Sequence, residues 1–375
     1  MRVVRVLPEL DFGGVESRVS VQSMLHDRDA YELSVCAFHK DGAAARNIRE
    51  QGLRVDVLGV SPAPRNPAAP LALARYLRRL KPDVVHASIA EANLHALVAG
   101  TLARVPVRIA EETGMPEHSR VARNVYRGVY QLASSVVGVS RAVCDYVRDV
   151  DNAPKDRVRL IYNCAGQRYF PEPRPELPER HGPTLTLLLV GRLVPVKNHL
   201  FFMGVLQRLL PEFPQVRVQI AGDGPLRAEL ARSVAGGLSA QVELLGARDD
   251  VPALLSRADV FALPSLSEGC SVSLIEAMAS GAHAIGSDVA GIREVMGPLA
   301  AEWTAPPSDA GAWERLLRRT FSLGAAERLA VTRRAQARAY AEFSPRVYVA
   351  TLETMYRELL AQRGRTFQRA RVSLS

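Results

Sequence analysis

Residue types suited to chemistry are most concentrated in the segment 265–281, which follows a predicted buried strand. Glu268 and Glu276 are eight positions apart, and if Glu268 precedes a helix that contains Glu276, both carboxylates can face one ligand. The free N–H groups around Cys270 and Ser271, at the start of that helix, would bind an anion. We therefore predict that one carboxylate accepts sugar hydroxyls and the other ribose hydroxyls, with a diphosphate between them. The alternative is an ordinary helix start at which Glu268 only complements the helix dipole.

Two further loops offer groups for phosphate. The segment 191–198 follows an almost purely apolar strand, and it carries Arg192, whose guanidinium can bind two phosphate oxygens, and Lys197, which supplies a point charge. Gly13 and Gly14 follow the first predicted strand, where the absence of side chains lets the backbone close on a phosphate. Each signal is weak alone, because loop cations are commonly only solvated and many tight turns use paired glycines.

These loops need a framework, and the chain alternates short apolar runs with amphipathic stretches along its length. Such alternation predicts parallel sheets with helices on both faces, which bind ligands beyond the carboxyl ends of their strands. We predict an α/β protein with two doubly wound domains and a cleft between them. Strands are predicted at 3–7, 33–38, 55–58, 83–86, 107–110, 135–139 and 158–162, and then at 185–190, 216–221, 242–245, 260–263 and 283–287.

The segment 169–183 separates the two series of strands and is interpreted as a linker, because its many prolines break regular structure. This places the first domain at 1–168 and the second at 184–344. An amphipathic helix is predicted at 345–362, with a proline in its first turn. The basic tail at 363–375 is expected to be mobile.

Composition restricts the class of protein. The 375 residues are 47% hydrophobic and 23% charged, which excludes a mainly disordered chain, a coiled coil and a collagen-like polymer. No apolar run reaches the roughly 18–20 residues of a membrane-spanning helix, and no secretory signal is recognised. The four cysteines lie far apart without CxxC spacing, which predicts a cytosolic protein without a disulfide framework. The net charge of +9 favours anionic partners, or else is only a soluble basic surface.

The order of short motifs is more specific than any one of them. GGVE near the start, DVVHA, GVS before a helix, YN after a strand, GRLVPVKN, AGDGP and LPSLSEGCSVSLIEAMASG together resemble the retaining glycosyltransferases of family four. The resemblance covers nearly the whole chain and is strongest from Leu187 to Glu294. It implies the GT-B fold of two facing Rossmann-like domains. It also implies transfer of a sugar from a nucleoside diphosphate donor, such as a UDP- or GDP-sugar, with retained anomeric configuration and no metal or other cofactor.

The resemblance further implies a glycan or lipid-linked acceptor, a place in bacterial cell-surface polysaccharide or glycolipid biosynthesis, and a C-terminal helix that packs on the first domain. Ser271 stands where the family usually has glycine, a tighter fit that bears on the donor sugar. The residues assigned to the donor are Arg192 and Lys197 for the diphosphate, Glu268 for the sugar, Glu276 for the ribose, Gly269, Cys270, Ser271 and Val272 for backbone amides, Asp223 and Gly224 near the nucleotide, the backbone around Arg248 for the base, and Gly13 and Gly14 from the first domain.

One catalytic position departs from the family pattern. Many members have a histidine and a glycine after the strand equivalent to 107–110, where this chain has EETG. Either an acidic residue such as Glu112 replaces that histidine near the anomeric carbon, or His118 reaches the site. The alternative is structural, with Glu111 and Glu112 only forming ion pairs with Arg120 or Arg123.

Other polar residues have spacing that could suit metal binding or a place in the cleft. Asp27 and Asp29, and again Asp149 and Asp151, have the DxD spacing of metal-using transferases, but both pairs lie at predicted helix ends away from the donor loops. We therefore predict no metal site. His86 either lines the cleft at a strand end or is a structural histidine with satisfied hydrogen bonds.

Competing functions have weaker support. A dehydrogenase is suggested by Gly222, Gly224 and Ala228 after a strand, with Glu243 for the ribose, but the first strand of neither half is followed by GxGxxG. A non-catalytic subunit is disfavoured because the residues assigned to the donor are present. Nucleic-acid binding is disfavoured because the sequence lacks aromatic stacking motifs.

A predicted helix at 119–135 combines Arg120, Arg123 and Arg127 with apolar residues at helical spacing. Such a helix can lie on an anionic lipid surface, which would place the protein at the inner face of the cell membrane. The alternative is that the apolar residues pack on the first sheet and the arginines are only solvated.

Overall fold

The computed structural model describes residues 1–11, 13–115, 119–171, 184–238 and 240–372, with side chains in the last helix as far as Gly364. His118 and most of the predicted linker, 172–183, lie outside these residues. The chain divides into two compact units. The first comprises Met1–Asn163 together with Pro345–Ser375, and the second comprises Cys164–Ser344.

The first unit contains a parallel sheet of seven strands in the order β3-β2-β1-β4-β5-β6-β7. Its elements are β1 (Arg2–Leu7), α1 (Gly14–Leu25), β2 (Glu32–Ala37), α2 (Ala43–Glu50), β3 (Arg54–Val57), α3 (Ala68–Leu80), β4 (Val84–Ser88), α4 (Ala90–Leu102), β5 (Val107–Glu112), α5 (Arg120–Tyr130), β6 (Ser135–Gly138), α6 (Arg141–Asp149) and β7 (Val158–Leu160).

The second unit contains a parallel sheet of six strands in the order β10-β9-β8-β11-β12-β13. Its elements are β8 (Leu185–Val190), α7 (His199–Leu209), β9 (Val216–Ala221), α8 (Arg227–Ala235), β10 (Val242–Gly246), α9 (Val251–Arg257), β11 (Val260–Leu263), α10 (Val272–Ser280), β12 (His283–Ser287), α11 (Ala290–Met296), α12 (Ala300–Trp303), β13 (Thr304–Ala305), α13 (Ala310–Phe321) and α14 (Ala325–Glu342). The last helix, α15 (Pro345–Val372), belongs to the first unit.

Both sheets run outward in two directions from their first strand, which is the doubly wound topology. In the first sheet β1 pairs with β4, and in the second β8 pairs with β11, with Leu187 opposite Val260. The central strands are buried because helices cover both faces, as the fully buried β4 shows. The α/β prediction with two doubly wound sheets is confirmed, and it places two topological switch points, one after β1 and β4 and one after β8 and β11.

Two helices differ in length from the sequence prediction. α5 ends at Tyr130 rather than at 135, because Ala133 N–H turns back to the Tyr130 carbonyl and Ser135 begins β6. α15 continues to Val372 rather than ending at 362. No helix of the described residues is long and apolar enough to cross a membrane.

Candidate active site

Four loops at the carboxyl edge of the second sheet are joined by backbone hydrogen bonds. Gly191 N–H donates to the Ala221 carbonyl at 3.0 Å, which joins the loops after β8 and β9. Gly222 N–H donates to the Gly246 carbonyl at 2.7 Å, which adds the loop after β10. Leu266 N–H, in the loop after β11, donates to the carbonyl of Val196 at 2.8 Å. The sheet thus fixes in one place the loops that carry most of the predicted site.

Glycines permit the closest of these approaches. Gly222 and Gly224 have φ values of 152° and 156°, and a Cβ on Gly222 would lie 1.8 Å from the Gly191 carbonyl oxygen. These glycines are therefore explained by loop packing after the second strand of the unit, and they do not form the phosphate turn of a dinucleotide-binding fold. Gly291, at the start of α11, lies against the loop after β11, where a Cβ would be 2.2 Å from the Glu268 carbonyl oxygen.

Glu268 and Lys197 form the charged centre of this edge. Lys197 Nζ lies 2.6 Å from Glu268 Oε1, and Ser265 Oγ donates to the same oxygen at 2.6 Å. The two charged side chains are 19% and 11% exposed, so both are held by the protein and still reach solvent. Arg192 is exposed in the same loop as Lys197, and within the described part of the chain it has no ion-pair partner. The loops after β8 and β11 therefore bring two cations and one carboxylate to this edge.

The helix α10 begins directly behind Glu268. Ser271 precedes it and makes no capping hydrogen bond with its side chain, which lies 3.3 Å from Ser273 Oγ. The positive end of α10 is thus presented beside the loop that holds Glu268. Gly269 and Cys270 lie in that loop, and Val272 is the first helical residue.

Glu276 lies in the second turn of α10 and is partly buried. Burial raises the pKa of its carboxyl group to about 7, although the nearby charge of Arg168 and a hydrogen bond donated by the Tyr169 hydroxyl favour the ionised form. The carboxylate is therefore close to its titration midpoint at neutral pH.

The remaining residues predicted for the donor lie on the loops after β9 and β10. Asp223 is exposed, accepts a hydrogen bond from Gly224 N–H at 2.7 Å, and its own carbonyl accepts from Leu193 N–H at 2.9 Å. The guanidinium of Arg248 donates to both carboxylate oxygens of Asp250, at 2.7 and 2.6 Å. Asp250 thus accepts from two of the five N–H groups of this guanidinium, and a ligand contact through the side chain would compete with that pairing.

In the first unit, Glu111 is a buried structural carboxylate. Arg5 Nη2 lies 2.9 Å from it, Arg18 forms a second ion pair with it, and Ser88 donates to it as well. Burial alone would raise the pKa of Glu111, but the charges of Arg18 and Arg5 outweigh burial and hold the pKa well below its usual range. The expected ion pairs of Glu111 with Arg120 or Arg123 are therefore wrong. The fold brings Arg5 of β1 and Arg18 of α1 to this carboxylate instead.

Glu112, the next residue, has a different environment. Its Oε1 accepts hydrogen bonds from Tyr130 and from Asn93, both at 2.7 Å. Burial raises the pKa of Glu112 to about 7, although these two hydrogen bonds favour the ionised form. Glu112 is thus a buried acid that exchanges its proton near neutral pH, with no arginine partner among the described residues.

His86 is structural. It is fully buried on β4, where Arg5 Nη1 lies 2.7 Å and the Tyr356 hydroxyl of α15 lies 2.8 Å from its Nδ1. Burial and then the charge of Arg5 lower the pKa of His86 well below its usual value, which keeps the ring neutral. Gly13 and Gly14 mark the start of α1, where the Gly13 carbonyl accepts from Ser17 N–H at 3.0 Å.

The first DxD segment is part of a turn. Asp27 Oδ1 accepts from the backbone N–H groups of Asp29 and Ala30, both at 3.1 Å, which makes a turn after α1. Across the described ranges, no three His, Cys, Asp or Glu side chains are grouped as metal ligands would be.

Comparison with known families decides the identity of this framework. Residues 13–164 match the model of a glycosyl transferase 4-like domain, and residues 184–322 match the model of the glycosyl transferases group 1. The chain belongs to the group 1 glycosyltransferases. It is 27% identical over 310 residues to the putative glycosyltransferase EpsF of Bacillus subtilis. The alignment covers 76% of this chain and 79% of EpsF.

Three further comparisons concern acceptor and fold. The chain is 27% identical over 240 residues to an Escherichia coli UDP-Gal:α-D-GlcNAc-diphosphoundecaprenol α-1,3-galactosyltransferase, with 59% of this chain and 62% of that protein aligned. A crystal structure of HepE from Anabaena in complex with UDP and glucose has a TM-score of 0.78 at 19% identity, covering 95% of this chain and 99% of HepE. The crystal structure of a Rickettsia africae glycosyltransferase has a TM-score of 0.81 at 16% identity. The match covers 96% of this chain and 98% of that one. The fold is GT-B.

The glycosyltransferase also has an unusual surface on α5. Tyr126 and Tyr130 are buried, whereas Val121 is 72% and Val125 is 44% exposed. The three arginines of the helix, Arg120, Arg123 and Arg127, are exposed as well. The alternative to membrane contact, in which the apolar residues are buried by the protein, therefore describes the two tyrosines and not these two valines.

Sequence reasoning overlooked Arg168 and Tyr169. They lie in a short 3₁₀ turn, Gln167–Tyr169, that belongs to the second unit and contacts α10. The sequence offers little signal for them, because they stand beside the proline-rich segment and far from Glu276 along the chain.

Proposed function

We propose that this glycosyltransferase moves a sugar, with retention of anomeric configuration, from a UDP- or GDP-sugar to a lipid-linked or glycan acceptor. The observation that carries the proposal is the placement of Lys197, Glu268 and Glu276 on loops and a helix at the switch point after β8 and β11. Ligands of doubly wound sheets bind at such a point. The proposed role is in the biosynthesis of a cell-surface polysaccharide or glycolipid.

The proposed donor site assigns one task to each charged group. Lys197 and Arg192, with the positive end of α10, bind the diphosphate and stabilise the charge that develops on it as the sugar departs. Glu268 accepts hydrogen bonds from the donor-sugar hydroxyls, and its contacts with Lys197 and Ser265 keep it oriented. Glu276 accepts the ribose hydroxyls. In the transfer, the bond from the anomeric carbon to the diphosphate breaks, the acceptor oxygen bonds to that carbon, and the departing phosphate oxygen receives the acceptor proton.

Metal independence is part of the proposal. The diphosphate charge is met by Arg192, Lys197 and the helix terminus, so transfer in excess chelator should equal transfer in magnesium. Complete loss of activity that magnesium restores would contradict this role for the protein cations.

The proposed acceptor side rests on relatives and on α5. The E. coli relative acts on a sugar linked to diphosphoundecaprenol, and a 26% identical Campylobacter jejuni relative, aligned over 72% of its length, has a diphospho-undecaprenol acceptor in its name. Arg120, Arg123 and Arg127 beside the exposed Val121 and Val125 suit contact with an anionic membrane surface. We accordingly place the enzyme in the cytoplasm, at the inner face of the cell membrane.

The donor is tested by measuring thermal midpoints and turnover with a panel of UDP- and GDP-sugars. A donor should raise the midpoint, because it binds only the folded protein. Nicotinamide cofactors serve as the negative control. A midpoint shift with nicotinamide cofactors, and none with any sugar nucleotide, would contradict the proposal.

The membrane contact is tested by cosedimentation with vesicles. The protein should bind anionic vesicles and not neutral ones, and rising salt should weaken the binding. Changing Arg120, Arg123 and Arg127 together to Gln should abolish it while hydrolysis of a soluble donor continues. The matched control changes Arg333 and Arg334, exposed arginines of α14, to Gln and should leave it intact. Absence of wild-type binding at low salt would point to a soluble acceptor.

A further inference from the structure

Tyr169 lies in the turn Gln167–Tyr169, and its neighbour Arg168 reaches the loop after β10. Tyr169 is only 3% exposed, its turn packs against the helix that carries Glu276, and the interaction of its hydroxyl with the Glu276 carboxylate offsets part of the rise in pKa that burial causes. A carboxylate has two oxygens and about four acceptor positions, so one bond from tyrosine leaves acceptors for the two hydroxyls of a ribose. Tyr169 therefore orients Glu276 without occupying all of it.

Arg168 extends this contact to the loop after β10. Its Nη2 donates to the Tyr169 hydroxyl at 3.3 Å, and its Nη1 donates to the Asp249 carbonyl at 3.3 Å. The guanidinium carbon lies 5.2 Å from the centre of the Tyr169 ring. Asp249 follows Arg248, whose backbone is the predicted base contact. A single pair of adjacent residues thus joins the predicted ribose carboxylate to the predicted base loop.

The turn that presents this pair is fixed on its other side. Tyr169 N–H donates to the Gly166 carbonyl at 3.0 Å, and Gln167 Nε2 donates to the Phe170 carbonyl at 3.1 Å. The Phe170 ring packs on Tyr340, with 4.9 Å between the ring centres. Tyr169 is thus held in place by a backbone turn and by an aromatic contact that do not involve Glu276.

From this geometry we infer that Tyr169 and Arg168 are positioning residues for the nucleoside half of the donor, with Tyr169 orienting the Glu276 carboxylate toward the ribose and Arg168 fixing the base loop relative to it. The inference rests on the proposed function, since it requires a nucleoside diphosphate donor. Both residues belong to the second unit, as do all the groups that they contact.

The inference predicts a specific pH signature. The hydroxyl of Tyr169 and the charge of Arg168 both favour the ionised form of Glu276, whose pKa is about 7. Tyr169→Phe removes the hydroxyl and keeps the ring. If the pKa of Glu276 then rises by about one unit, the ionised fraction at pH 7 falls roughly fivefold, and at pH 8.5 by less than about 1.5-fold.

The experiment is titration calorimetry with UDP and with GDP on the full chain, from about pH 6 to 8.5. Tyr169→Phe should weaken binding roughly fivefold at pH 7 and hardly at all at pH 8.5. Because the titration of the nucleotide itself is the same for every variant, differences between variants report on the protein. Arg168→Gln should shift the profile in the same direction, and Arg168→Lys should restore part of it. Arg168 is exposed, so these variants test the inference even if Tyr169→Phe fails to fold.

Two controls separate positioning from a general structural effect. Tyr340→Phe removes a neighbouring tyrosine hydroxyl that donates to the Pro171 carbonyl at 3.2 Å, and it should leave the pH profile unchanged. In a Glu276→Gln background, which cannot titrate, Tyr169→Phe should add no pH-dependent loss. A wild-type profile in the Tyr169 and Arg168 variants, or an equal weakening at every pH, would overturn the inference while leaving the donor assignment standing. If neither UDP nor GDP binds the wild-type protein, the proposed function fails and the inference fails with it.

Discussion

The two units have the same doubly wound strand order and use charge in opposite ways. In the first unit Arg5, Arg18 and Glu111 are at most 1% exposed and bind one another within the protein. In the second unit Lys197 and Glu268 are paired but still reach solvent, and Arg192 is exposed. The comparison teaches that one topology can bury its polar residues as structure or keep them available for a ligand. The first arrangement should govern folding and the second should govern donor binding.

The largest expected effect is on the stability of the first unit. Glu111→Ala leaves two buried arginines without a counter-charge, so it should lower the free energy of unfolding by about 3–5 kcal/mol. Urea unfolding measures this. The control is Glu358→Ala, which removes an exposed partner of Arg159 and should cost less than about 1 kcal/mol. If the two substitutions lowered the free energy of unfolding equally, the buried ion pairs of Glu111 would not differ in effect from the exposed pair of Glu358.

Glu112→Gln should act in the opposite direction. Folded Glu112 has a pKa of about 7 against an ordinary 4.5, so the folded state retains a proton that the unfolded state releases between these pH values. The contribution of Glu112 to stability therefore falls as the pH rises from 4.5 to 7, by up to roughly 3 kcal/mol. Glutamine does not titrate, and its carbonyl can accept from Tyr130 and Asn93. The variant should match wild type near pH 4.5 and be more stable above pH 7 in urea unfolding; a difference independent of pH would contradict the assignment.

In the second unit, Lys197→Ala and Glu276→Ala should each reduce donor binding or turnover at least tenfold, about 1.4 kcal/mol. The measurement is steady-state kinetics with the donor found in the panel. Glu229→Ala on the exposed face of α8 is the matched control and should leave the kinetics unchanged. If both site variants had the kinetics of the wild type, the assignment of the donor site to this edge of the second sheet would be wrong.

Arg248→Ala should have the smallest effect, less than about twofold on the Michaelis constant for the donor. Its guanidinium is held by Asp250, and the proposed contact uses only the backbone. A loss of fivefold or more would show that the side chain reaches the nucleotide. In that case the guanidinium of Arg248, in the loop after β10, would be one of the charged groups of the second unit that bind the donor.

The sequence predicted those features that depend on local pattern. Buried parallel strands are apolar runs, so β8 and β11 were located correctly, and with them the loops that hold Lys197 and Glu268. The sequence does not predict that Lys197 and Glu268 form an ion pair. Contacts between side chains on loops after different strands produce no repeating pattern in a sequence. The partners of Glu111 were sought in nearby Arg120 and Arg123, but strand order brings Arg5 instead. Tyr169 was missed for the same reason, since its contact with Glu276 is made only by the fold.

The return of α15 to the first unit has a consequence for synthesis of the chain. The second unit is one continuous segment, Cys164–Ser344, whereas the first is completed only by residues after it. Tyr356 supplies hydrogen-bond partners to His86 and Gln22 in the interior of the first unit. We therefore expect the unit made first on the ribosome to finish folding last, and to stay open to proteases until the final helix emerges. Limited proteolysis of ribosome-bound chains that have emerged as far as Ser344, with the residues after it still in the exit tunnel, should cleave the first unit and spare the second.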